Sequence, residues 1–88
     1  MHLVDVLKIN IIGKNIEILH SSNKSLINKK GKIMDETKNL LIIQQGKSLK
    51  KLIKSQIRIK IPYKGRYYSV DGKLLIGTIE ARMKKWRQ

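Results

Sequence analysis

Asp35 and Glu36 stand side by side in GKIMDETKNLLII, the stretch from Gly31 to Ile43. Paired carboxylates are what general acid–base or metal chemistry would use. Adjacent strand residues point to opposite faces, however, so this pair cannot converge on one substrate. Asn39 suits a left-handed turn position, and the stretch reads as a hairpin whose Ile33, Leu41 and Ile43 enter a core. Acids placed there would also hold a polyanion off that edge of a very basic molecule. His2 and His20 are isolated and read as solvated imidazoles. Asp71 precedes Gly72 and reads as a turn residue. The Gly-Lys steps GKN, GKI, GKS and GKL lack the spacing of a phosphate-binding loop. No set of residues in the chain is equipped to do chemistry alone, and no catalytic or metal-ligating residue is expected.

The basic residues carry more information. Twenty Lys and Arg against six Asp and Glu give a formal net charge of +14 over 88 residues. Such self-repulsion opposes compaction, and it fits a protein kept beside a polyanion, with nucleic acid first and an anionic membrane surface second. A single lysine is most simply a solvated surface residue. Clustering points further: Lys24, Lys29, Lys30 and Lys32 lie in NKSLINKKGK, Lys47, Lys50, Lys51 and Lys54 in GKSLKKLIK, Arg58 and Lys60 in RIK, and Lys64 and Arg66 in KGR. Lys73 follows the Asp-Gly step, and Arg82, Lys84 and Lys85 sit near the C-terminus. From these clusters the candidate RNA contacts are Lys24, Lys29, Lys30, Lys50, Lys51, Lys54, Arg58, Lys60, Lys64, Arg66, Lys73, Arg82, Lys84 and Lys85. Counterion release would make binding through them steeply salt-dependent. Tyr63, Tyr67 and Tyr68 interleave with this charge as a base-stacking surface would. Tyr67 and Tyr68 alternate on a strand, so one of them belongs to the core.

Short strands must carry these side chains. In QIRIKIPY, Ile57, Ile59 and Ile61 alternate with Gln56, Arg58 and Lys60, and Pro62 ends the strand or marks an edge. NIEIL, GKIMD, LLIIQQ and RYYSV read as further strands, Asp71–Gly72 as a hairpin turn before a strand KLLI, and KSLKKLI as strand or helix. Helical signals sit at the ends. Leu3, Val6 and Leu7 are spaced i, i+3, i+4 ahead of Gly13. Thr78 is a plausible N-cap for a helix over 78–87 bearing an Ile79, Met83, Trp86 stripe. The expected architecture is one domain over 1–88, mainly β, a small twisted antiparallel barrel of about six strands with short N- and C-terminal helices. The N-terminal helix or arm spans 1–12. The Ile79, Met83, Trp86 stripe and the apolar N-terminal residues read first as caps on the barrel. The alternative, since two apolar ends are much for one small core to cover, is docking of a partner protein, with Leu3, Leu7, Ile11, Met83 and Trp86 as its candidates. There is no cysteine, no apolar run of the roughly 20 residues a spanning helix needs, and no signal-peptide pattern, so a soluble, intracellular protein is expected.

MDETKNLLII (Met34–Ile43) and VDGKLLIGTIEARMKK (Val70–Lys85), with NIEIL, the SSNKSL loop and GKI in the same order, resemble archaeal ribonuclease P protein component 1. The resemblance implies a Sm/SH3-like barrel that binds the catalytic RNA of ribonuclease P beside a zinc-ribbon protein subunit docked at its terminal segments. Precursor tRNA would be met indirectly, and Mg²⁺ would sit on the RNA rather than on this chain. The cytoplasm is the implied location. This sequence has Ile57 and Ile59 where the family commonly carries a phenylalanine. Within Gln44–Gln56 only Lys54 matches a recurring basic position. The competing expectation is a small basic SH3-like ribosomal protein bound to ribosomal RNA.

Overall fold

The computed structural model describes residues 3–85, with side chains from Asp5 onward. The chain forms six strands, with isoleucines alternating with polar residues in the first and fifth: β1 (Asn15–Ser21), β2 (Lys30–Glu36), β3 (Leu40–Gln45), β4 (Ser48–Ile53), β5 (Ile57–Tyr63) and β6 (Arg66–Asp71). All pair antiparallel in one open sheet of order β4-β3-β2-β1-β5-β6. The isoleucine faces of β1, β2, β3 and β5 turn inward together, burying Ile16, Ile18, Ile33, Ile43, Ile57, Ile59 and Ile61. Burial of such side chains is worth about 1.5–3 kcal/mol each and is the main force holding so charged a chain together. KSLKKLI resolves as β4, whose pairing Leu41↔Leu52 places Leu52 in the core.

Two short helices close the molecule. Helix α1 (Leu3–Leu7) occupies part of the expected 1–12 arm and ends well ahead of Gly13. Its Val6 and Leu7, with Ile11 beyond, are buried in the core. Helix α2 (Ile79–Lys85) starts as the sequence indicates: the Thr78 hydroxyl accepts from the Ala81 amide at 3.2 Å, and Glu80 lies in the first turn.

A β-bulge decides which acid of the Asp35–Glu36 pair turns inward. Simple alternation from buried Ile33 would bring Asp35 to the core and Glu36 to solvent. The register with β3 instead runs Ile33↔Ile43 and then Asp35↔Ile42 and Glu36↔Leu41, with Met34 as the extra residue. Glu36 therefore shares the inner face with Leu41, and Asp35 is left exposed. Of the two acids only Asp35 could repel a polyanion there.

The turns differ from expectation in two places. Asn39 is not left-handed. Thr37 makes that turn by accepting the Leu40 amide on its hydroxyl at 3.1 Å, while positive φ falls on Asn28 and Lys64. The Asp71–Gly72 step is not a hairpin, and KLLI is not a strand. Asp71 accepts the Lys73 amide at 3.0 Å and caps a 3-10 turn, Gly72–Leu75. Glycine is required there because a Cβ would collide with the Lys54 carbonyl oxygen. That contact presses the Gly72–Leu75 turn against a second 3-10 turn, Lys54–Gln56, which joins β4 to β5.

Candidate nucleic-acid interface

The outer face of the sheet gathers cations through strand register alone. Lys30, Glu17, Lys60 and Ser69 lie in one row across β2, β1, β5 and β6. Gln44, Lys32 and Asn15 form the adjoining row, and Tyr67 pairs with Pro62 on the same side. Of these, Lys30, Glu17, Lys60, Gln44, Lys32, Asn15 and Tyr67 border a cleft of about 520 Å³. Lys60 lies between two groups: its Nζ is 3.4 Å from the Glu17 carboxylate and 5.0 Å from the centre of the Tyr67 ring. An ion pair this exposed contributes about 0–1 kcal/mol, so Lys60 can transfer to a phosphate at small cost. Tyr68 packs against the core and Tyr63, whereas Tyr67 is 70% exposed. Lys32 lies in a basic cluster of the sequence, but only the strand register puts it in this cleft beside Lys30.

The other exposed candidates are dispersed. Arg58 and Lys73 border a smaller cleft beside His20, where Arg58 meets the Ser69 hydroxyl at 3.1 Å and the Asp71 carboxylate at 3.9 Å. Lys64 and Gly65 form the left-handed turn between β5 and β6, with Arg66 exposed after it. Lys64 and Lys14 flank Tyr63, at 5.4 and 5.8 Å from its ring centre. Lys24 and Lys29 are exposed around the short turn Lys24–Leu26, Lys50 and Lys51 on edge strand β4, and Lys84 and Lys85 on α2.

Two candidates are withdrawn. Lys54 and Arg82 are fully buried and cannot meet RNA in this fold. Both converge on the inward Glu36. Arg82 grips its carboxylate with two nitrogens at 2.8 and 3.1 Å, and Lys54 Nζ lies 2.9 Å from the same group. Carbonyls complete the node: Lys54 donates to Thr37, Lys38 and Gly77, and Arg82 to Leu7, Leu75 and Gly77. Burial alone would raise the Glu36 pKa, but the hydrogen bonds and charges of Arg82 and Lys54 prevail and lower it below 4.5. Burial likewise lowers the Lys54 pKa from 10.5, against the opposing pull of Glu36. Periodicity within single segments does not reveal this triad, which ties α1, β2, the Lys54–Gln56 turn and α2 together. One local signal is Arg82 at i+3 from Ile79, on the helix face assigned to apolar residues.

The proposed docking residues divide similarly. Leu7 and Ile11 are core, since one small sheet and two short helices do cover them, whereas Met83 is 51% exposed. Trp86 and His2 lie outside the described residues, as does the side chain of Leu3. Among the described residues, no group of three or more His, Asp or Glu could hold a metal ion, and no helix is long and apolar enough to cross a membrane.

Residues 4–85 match the protein family described as ribonuclease P/MRP, subunit p29. Ribonuclease P protein component 1 of Methanocaldococcus jannaschii is 39% identical over 82 residues, covering 92% of this chain and 86% of that protein. The component 1 proteins of Methanosphaera stadtmanae and Archaeoglobus fulgidus are 35% and 33% identical, over 92% and 93% of this chain and 88% and 80% of theirs. A solved structure, Mth11, described as a homologue of human RNase P protein Rpp29, aligns with a TM-score of 0.60 at 24% identity. It covers 84% of this chain and 97% of that one, and it supports the fold.

Proposed function

The chain belongs to the ribonuclease P/MRP subunit p29 family, and from that membership we propose that its cationic outer face binds the RNA of ribonuclease P. It is a protein component of that endoribonuclease, which matures the 5′ end of tRNA. In this reading the RNA, with its Mg²⁺, performs the cleavage. The protein lowers the repulsion between folded RNA segments, meets precursor tRNA only indirectly, and works in the cytoplasm. The observation that carries the reading is the convergence of Lys30, Lys32 and Lys60 on one open cleft. Each phosphate neutralised releases condensed counterions, giving a salt slope of about 0.7–0.9 per contact.

Two finer features belong to the same proposal. In this proposal the sheet curls toward a Sm-like form, and what supports it is the contact between the 3-10 turns Lys54–Gln56 and Gly72–Leu75, which follow the two edge strands β4 and β6. A zinc-ribbon protein subunit would dock at the terminal segments, and among the candidates with described side chains the exposed Met83 is the one accessible to it.

Co-purification from the native cell tests the assignment. The expected RNA is one structured non-coding species that cleaves precursor tRNA. Recovery of ribosomal RNA in its place would favour a ribosomal role and reject this one.

A further inference from the structure

We propose that the outer-face cleft seats an unpaired RNA nucleotide, with its base stacked on Tyr67 and its flanking phosphates held by Lys30, Lys32 and Lys60. The inference rests on the RNA-binding reading above and narrows it to single-stranded segments at this site. At about 520 Å³ the cleft is within the size range of small-ligand pockets, large enough for one nucleotide. Its aromatic wall is unusually bare for this chain: of the tyrosine pair, Tyr68 went to the core and Tyr67 remained 70% exposed.

Lys60 lies next to that ring. Its ammonium is 3.4 Å from the Glu17 carboxylate and sits over one face of the ring at 5.0 Å. In the proposed complex a base stacks on the opposite face of this largely exposed ring, while the ammonium turns to a flanking phosphate. The remaining wall supplies hydrogen-bonding groups of both kinds. The Glu17 carboxylate accepts, and the amides of Asn15 and Gln44 both donate and accept. A paired A-form helix hides its base faces and would present this wall with phosphates only, whereas an unpaired nucleotide can use the ring, the amides and the lysines together.

Fluorescence polarisation with the full chain decides the matter, using a labelled, unstructured RNA of about eight nucleotides and a blunt RNA duplex of the same strand length. Tyr67→Ala is expected to weaken the single strand about tenfold and to move the duplex by less than about twofold. Tyr67→Phe keeps the π-face and should bind like the parent. The site is overturned if Tyr67→Ala leaves single-strand affinity unchanged, or if it weakens both RNAs equally. Failure of the parent chain to bind either RNA would sink the RNA-binding reading itself, a different result from any loss confined to Tyr67.

Discussion

Replacing Glu36 by glutamine is expected to cost about 3–5 kcal/mol of folding stability, because it leaves Lys54 and Arg82 buried without a counter-charge. In a domain of this size each kcal/mol moves the thermal midpoint by about 4–8 °C, so a fall of at least about 12 °C should appear in a circular dichroism melt. Asp35→Asn is the matched control. Asp35 is exposed, its side chain accepts only from the neighbouring Glu36 amide in the hydrogen bonds described, and asparagine keeps that acceptor, so the change should stay within about 0.5 kcal/mol. Equal effects of the two substitutions would show that the node does not hold the fold.

The same residue sets an acid limit. A carboxyl group whose folded pKa lies below its unfolded value stabilises the protein fully above the unfolded value, near 4.5. That contribution is lost as pH falls through the folded pKa. Stability of the parent should therefore decline steeply below about pH 4.5, and Glu36→Gln should flatten that limb. Lys54 acts at the other end. Its pKa is lowered from 10.5 by burial, so the unfolded chain binds the extra proton and stability gains slightly as pH rises toward that value.

Neutralising Lys30 and Lys32 together to glutamine should weaken RNA binding at least about tenfold and flatten the salt slope by about two units. Both residues are exposed on β2, two positions apart, and so on one face. Neither figures in the ion pairs that hold Lys54, Arg58, Lys60 and Arg82. The melt should be unaffected, which separates lost phosphate contacts from lost folding. Lys54→Gln would give the opposite pattern, with a lower melt and no change in salt slope where the protein stays folded. Identical slopes for the parent and the Lys30/Lys32 variant would move the RNA to another face.

These two expectations also mark where the sequence was informative. Ile57, Ile59 and Ile61 announce β5 because burial of one strand face imposes period two, and the same logic places Arg58 and Lys60 outside. The Thr78 cap is equally local, a side chain satisfying an amide three residues on. The Glu36 node lies beyond such reasoning. One bulge residue, Met34, reverses the faces of Asp35 and Glu36, and a bulge leaves no mark on apolar periodicity. Lys54 and Arg82 look like surface cations until the fold sets a carboxylate and five carbonyl oxygens around them. The Asp71–Gly72 step was misleading for a related reason. Glycine there answers to the Lys54 backbone pressing on it from another turn, not to hairpin geometry.

The most direct measurement is cleavage of precursor tRNA by reconstituted ribonuclease P at low Mg²⁺, with the cognate RNA and partner subunits and with this chain present or omitted. The expected result is faster 5′-leader removal when the parent chain is present, little of that gain with the Lys30/Lys32 variant, and no cleavage by the chain without RNA. Cleavage no better than with the partner subunits alone, or leader removal by the protein on its own, would contradict the assignment of this chain as an RNA-supporting subunit.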